Sequence, residues 1–167
     1  SNISGDKTEI SIGQNDYWIV KVDSIGNIQW QNTIGGGSSE YLNSIQQTTD
    51  GGYILAGTSQ SNIGGDKTEY GFGFFDYWIV KVDSLGDIQW ENTIGGSLVD
   101  YLYSIQQTTD GGYIFGGKSG SGISGDKTIT TNGGFDFWIV KVDSLGTIQW
   151  QKSIGGSEYE ELRSIQK

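Results

Sequence analysis

The chain is predicted to be all-β, built as about three repeats of one antiparallel unit. Three observations carry this. A passage beginning "DYWIVKVDSIGNIQW" at residue 16 returns as "DYWIVKVDSLGDIQW" at 76 and "DFWIVKVDSLGTIQW" at 136, a constant spacing of 60 residues. Self-similarity at a fixed period of this length marks an array of one supersecondary unit. Short runs rich in Tyr, Trp, Ile, Val and Thr are punctuated by Gly, Asp, Asn and Ser, as in strands and their turns. No stretch sustains apolar residues at helical spacing.

Each repeat contains four strand-like runs. In the best-covered copy they are "YLNSIQQTT" (41–49), "YILAGTS" (53–59), "DYWIVKVD" (76–83) and "DIQWENTIG" (87–95). Between the first and second runs stands Asp50-Gly51, a tight-hairpin signal because Gly tolerates positive φ. Between the third and fourth, "VDSxG" places Asp and Ser early in a turn and Gly where a left-handed residue is wanted. The second and third runs are joined by a long loop of about 16 residues, which varies most between copies. The segments are thus 1–40, a partial unit; 41–100 and 101–156, whole units; and 157–167, the first strand of a following unit. Only two complete second strands are present, at 53–59 and 113–119. The chain enters and leaves partway through a repeat, which reads as a mature or trimmed piece or as part of something larger.

Four-stranded antiparallel units at this period are the blades of a β-propeller. In "YWIVKVD" one alternate set is Trp18, Val20, Val22 and the other Tyr17, Ile19, Lys21. Both faces carry large apolar groups, which a sheet with one wet face does not show. Stacked blades bury both. Trp18, Trp30, Trp78, Trp90, Trp138 and Trp150 are therefore expected to dominate blade-to-blade packing, since each indole buries roughly 150–250 Å².

Composition excludes much chemistry. The chain has no His and no Cys, so it builds no Ser-His-Asp or Cys-His triad, no disulfide and none of the usual zinc sites. Ten basic against twenty acidic residues leave a net charge of −10, which repels phosphate backbones and anionic membranes. Nucleic-acid and membrane partners are not expected.

On these words the chain resembles the SBBP-type propeller repeats of large secreted or surface-displayed bacterial proteins. The resemblance rests on "IGG" followed by an acid (Glu40, Asp100, Glu160), then "SIQQTTDGGYI", then "DYWIVKVDSxGxIQW". It implies a non-enzymatic extracellular module, secreted or at the cell surface, acting as scaffold, adhesin or ligand-display surface. "VDSLGDIQW" is also similar to the Trp-docking motif of quinoprotein propellers, which implies a Trp packed on a neighbouring blade and no quinone site. Closed propellers have about 4–8 blades, so this chain is expected to be completed by further repeats or further copies of itself. Self-assembly into rings or fibres through exposed blade ends is the first alternative function, and a glycan-active enzyme the second.

The candidate ligand site lies on the long-loop rim: Asp66, Lys67, Thr68, Tyr70 and Phe72 in one copy, Asp126, Lys127 and Thr128 in another. Asp, Thr and Glu there offer oxygens to Ca²⁺, or polar contacts to a glycan or surface protein with Tyr70 and Phe72 as stacking faces. The structural alternative, which has precedence, is that Asp-Lys-Thr closes the loop through side-chain-to-backbone bonds. Ile129 replaces the Glu of the other copies and weakens a shared metal site, so no cofactor is expected beyond that Ca²⁺ possibility, and no catalytic residue. Glu40, Asp100 and Glu160 are expected to accept backbone hydrogen bonds in the link between blades, and Asp16, Asp76 and Asp136 to fix the start of the third strand. Lys21, Lys81 and Lys141 are expected to lay their stems over the sheet and pair with acids.

Overall fold

The computed structural model describes residues 3–166 and arranges them as ten antiparallel strands in sheets of two, four and four. β1 (Tyr17–Val22) and β2 (Ile28–Ile34) form a hairpin. β3 (Glu40–Gln47), β4 (Tyr53–Ser59), β5 (Asp76–Val82) and β6 (Ile88–Ile94) form a meander, and β7 (Asp100–Gln107), β8 (Tyr113–Ser119), β9 (Asp136–Val142) and β10 (Ile148–Ile154) repeat it. All-β architecture and the four-strand unit are as the sequence predicts. Among the described residues the three sheets close no ring.

The turns form for the reasons their residues suggest. Gly51 has φ +85°, and Thr48 and Gly52 close the hairpin, with the Thr48 N–H donating to the Gly52 carbonyl at 2.9 Å. In the second turn type the Asp83 carboxylate accepts the N–H groups of Leu85 and Asp87 at 2.8 and 3.0 Å, while Gly86 takes φ +92°. Each carboxylate satisfies donors that the reversal would otherwise leave bare.

Both faces of the middle sheet are buried, as the alternation in "YWIVKV" requires. Trp78, Val80 and Val82 pack with Tyr17, Ile19 and Ile34 of the first sheet. Tyr77 and Ile79, on the opposite face, pack with Trp138, Val140 and Val142 of the third. The seam has the same geometry twice. The Tyr17 and Trp78 rings are 4.9 Å apart, as are Tyr77 and Trp138. The Tyr17 hydroxyl donates to the Trp78 carbonyl at 3.2 Å, and the Tyr77 hydroxyl to the Trp138 carbonyl at 3.1 Å. Packing is therefore directional: Trp-Val-Val faces the preceding sheet and Tyr-Ile the following one.

A second contact locks the outer strands. Trp30 Nε1–H donates to the Ser84 carbonyl at 3.1 Å, and a Cβ on Gly86 would sit 3.1 Å from the Trp30 ring. Asn32 Nδ2 donates to the Gly86 carbonyl at 2.8 Å, and Asn92 to Gly146 at 2.7 Å. Gly86 thus serves twice, supplying positive φ and letting the next sheet's turn lie against the indole. Innermost, polar side chains join β3 to β7: Ser44 Oγ accepts the Ile105 N–H at 3.4 Å and Gln46 Oε1 the Gln107 N–H at 2.7 Å.

The six tryptophans are not equivalent. Trp78 and Trp138 are 0% exposed and Trp30 and Trp90 half-buried, but Trp18 is 43% and Trp150 47% exposed. The expectation that all six join sheets therefore holds for four, because among the described residues no sheet covers the faces bearing Trp18 and Trp150. Residues 160–166, within the expected first strand of a following unit, join no ladder, and Lys167 lies outside the described residues. They still follow the track of β7. Glu160 N–H donates to the Phe135 carbonyl at 2.8 Å as Asp100 N–H does to Phe75 at 2.7 Å, and Ile165 N–H donates to Ser104 Oγ at 3.1 Å.

Trp78→Ala should cost about 3–5 kcal/mol by denaturant unfolding, whereas Trp18→Ala, the same letter one repeat earlier, should cost about 1 kcal/mol or less. Equal costs would refute the directional seam.

Candidate functional site

The long loops (60–75, 120–135) and the inter-sheet links (95–99) share one rim, where Phe75 and Val99 form an isolated parallel bridge. The tight hairpins lie at the other ends of the strands. Within each long loop the "GDKT" passage makes a compact turn. Gly65 takes φ +61°, and Gly64 and Lys67 exchange backbone hydrogen bonds at 3.0 and 3.2 Å.

This turn is clamped to the sheets from several directions. The Asp66 N–H donates to the Gly35 carbonyl at 2.9 Å, and Gly35 N–H donates back to Asp66 Oδ2 at 3.1 Å, tying the loop to the preceding sheet. Asp126 makes the same pair of contacts with Gly95, at 2.9 and 3.4 Å. Lys67 is 1% exposed; its Nζ donates to Thr93 Oγ1 and lies 6.0 Å from the Trp78 ring centre. Lys127 is equally buried, donating to Ser119 Oγ at 2.7 Å and lying 5.3 Å from the Trp138 ring centre. Burial pushes both ammonium groups below the ordinary lysine value. Thr68 donates its N–H and hydroxyl to Glu91 Oε1 at 2.8 and 2.6 Å, and Thr128 N–H donates to Gln151 Oε1 at 3.1 Å. The "GDKT" words are thus a structural frame that roofs the seam tryptophan.

What projects from the frame differs between copies. Tyr70 is 68% exposed and Phe72 45%, where the first copy has Ile10 and Ile12 and the third Thr130 and Asn132. Phe72 leans on the next loop, since a Cβ on Gly125 would meet its ring at 2.9 Å. Between these loops lies a cleft of about 340 Å³, with Ile63, Tyr70 and Phe72 as its apolar side and Thr68, Glu69 and Asp126 among its polar groups. Of the predicted rim residues, Thr68, Tyr70, Phe72 and Asp126 come together here, while Lys67 and Lys127 lie inside the fold. Burial raises the carboxyls of Asp66 and Asp126 above their ordinary value, with Glu69 adding to the shift at Asp126. A larger cleft of about 440 Å³ on the hairpin rim is lined by Asp50, Lys81, Trp90, Tyr113 and Leu145. Every one of these has an identical counterpart in another repeat, and Asp50 and Lys81 are ion-paired at 2.9 Å.

The remaining acids are structural in their contacts. Glu40 accepts the Gly36 N–H at 2.7 Å and Asp100 the Gly96 N–H at 2.7 Å, with Ser59, Ser61 and Ser121 hydroxyls completing the sets. Glu160 accepts the Gly156 N–H at 2.9 Å. Asp16 accepts from Ile12 and Gly13, Asp76 from Phe72 and Gly73, and Asp136 from Asn132, so each ties its long loop to the entry of the strand that follows. Lys81 and Lys141 pair with Asp50 and Asp110 at 2.9 Å. Among the described residues Lys21 pairs with no acid, since the first sheet holds only β1 and β2; its Nζ donates to the Ser84 carbonyl at 3.4 Å. Among the described residues no three acids group into a metal cage. The Asn32–Gly86 and Tyr17–Trp78 bonds and the Ser44–Gln46 ladder went unread in the sequence. Their only signal there is recurrence at 60 residues, which every structural residue shares.

No protein-family model matches the chain, and no curated protein matches it.

Asp76 is buried beside Asp100, and its Oδ1 has no hydrogen-bond partner. Burial first, and the Asp100 charge next, lift its pKa from 3.8 to about 6 against the pull of the Gly73 and Phe72 N–H groups. A carboxyl raised on folding adds stability that is fully present below pH 3.8 and is lost as pH rises through 6, here about 3 kcal/mol. Asp50, held near 2 by the Thr48 hydroxyl and Lys81, stays ionised across that window. Urea midpoints should therefore fall from pH 4 to pH 7, and Asp76→Asn should remove part of the fall, with the raised carboxyls of Asp66, Asp100 and Asp126 contributing in the same direction.

Proposed function

We propose that the chain is a β-propeller segment of the SBBP type, a non-enzymatic module of a secreted or cell-surface protein that displays a ligand-binding rim. Each four-stranded sheet is then a blade, and further repeats or further copies of the chain complete the propeller. The reading is supported by the meander order of the sheets, their directional stacking and the turn docked on the preceding Trp, which is the packing the family resemblance implies.

The observation that carries the functional part is the break in repeat symmetry at the rim. An invariant frame holds the loop, yet among the described residues only the second copy's long loop presents exposed aromatics, Tyr70, Phe72 and Phe74, the first two beside an acid-lined cleft. Structural residues recur in every copy because each seam needs them; a recognition surface has no such need. Aromatic faces beside carboxylates and hydroxyls suit a hydroxyl-rich ligand that is neutral or cationic, and a glycan is the class that fits. The net charge of −10 disfavours acidic sugars, nucleic acid and anionic membrane.

A glycan array followed by titration calorimetry tests this. Neutral or amino sugars should bind, and the Tyr70→Ala/Phe72→Ala double variant should weaken binding roughly tenfold or more. An empty array, or binding indifferent to that variant, would overturn the display reading.

A further inference from the structure

We infer that the chain binds a second copy of itself head to tail, with Trp150 of one copy seated on the Gly26 turn of the next. This rests on the propeller reading of the sheets and not on the rim cleft.

The two unpartnered faces are the two halves of the seam already made twice inside the chain. On the leading face, Trp18, Val20 and Val22 are exposed, although their counterparts Trp78, Val80, Val82 and Trp138, Val140, Val142 are fully buried under the preceding sheet. On the trailing face, Ile154 is 44% exposed, whereas Ile34 and Ile94 are buried. Phe137 and Ile139 there are only half-buried, in the places held by Tyr17 and Ile19 in the first sheet. The turn contact is also open at both ends. Nothing lies within 4 Å of a Cβ on Gly26, while Gly86 and Gly146 meet the rings of Trp30 and Trp90 at 3.1 and 3.3 Å. Trp150 has the indole for that seat, and Lys152 stands where Asn32 and Asn92 donate to the turn carbonyl. Phe137 keeps the ring of Tyr17 and Tyr77 without the hydroxyl.

The partner is a second copy because the trailing face is shaped by repetition to accept this chain's own leading face. A front face does not complement another front: Trp-Val-Val meets Tyr-Ile in both internal seams and never itself. The contact is heterologous, so copies add in one direction and end in a closed ring or an open fibre. Residues 160–166 already occupy the innermost track beside β7. The incoming β1–β2 hairpin therefore covers the outer strands β9 and β10, and the strand equivalent to β4 is absent from the joint.

The test uses Val20→Glu to block the leading face and Ile154→Glu to block the trailing face, both at exposed positions that leave the internal seams intact. Circular dichroism checks that each variant is folded. In sedimentation velocity at micromolar concentrations the unaltered chain should form concentration-dependent dimers and larger species, and each variant alone should be monomeric. An equimolar mixture should form a one-to-one dimer and stop there, and Trp150→Ala should weaken association in the unaltered background. A monomeric parent chain overturns the inference, as does one variant that still self-associates, which would mean pairing of like faces. Tyr70→Ala/Phe72→Ala should leave sedimentation unchanged, so loss of glycan binding and loss of association are read separately.

Discussion

The structure depends on one contact, repeated: a Tyr ring of one sheet against a Trp ring of the next, 4.9 Å apart, with the Tyr hydroxyl on the Trp carbonyl. Apolar burial supplies the driving force, and the hydroxyl adds a directional hydrogen bond that sets the registry. The seam has a direction because the two faces of every third strand carry different residues. From that direction follow the docking of each turn on the preceding Trp, the buried middle sheet and the bare faces at the two ends.

Around the seam stands a polar frame that serves it. Lys67 and Lys127 cover the seam tryptophans from the loop side, and their ammonium groups are satisfied by hydroxyls rather than by a paired carboxylate. Asp66 and Asp126 fasten each loop to the sheet before it through paired main-chain contacts. Asp76 and Asp100 hold their loop and link through N–H groups while remaining buried, and a raised carboxyl pKa is the consequence of that placement. With the frame supplied by invariant residues, positions 70 and 72 are free to vary without loosening the fold. This separation of support from display is the main reason to look for recognition at the rim.

Much of the fold was legible in the residues themselves. Asp50-Gly51 and Asp83 to Gly86 named their turns, because positive φ and a carboxylate two residues before a bare N–H are local requirements. The alternation in "YWIVKV" announced two buried faces, because side chains alternate across a strand whatever surrounds it. The site was less legible. "GDKTE" offers Asp, Lys, Thr and Glu together, and only the fold separates the buried Lys67 from the exposed Tyr70 three residues on.

Sequence alone determined the strands, their hairpins, the repeat and the chemistry the chain lacks, since each of these follows from local sterics, period or composition. Tertiary structure decided which members of the two sets, Trp18, Trp78, Trp138 and Trp30, Trp90, Trp150, are covered. Trp18 and Trp78 sit in the same words, yet one is half in water and the other has none, because burial belongs to the neighbour and not to the residue. The same holds for the rim: a loop's letters state what it carries, and the adjoining sheet decides which of them face outward.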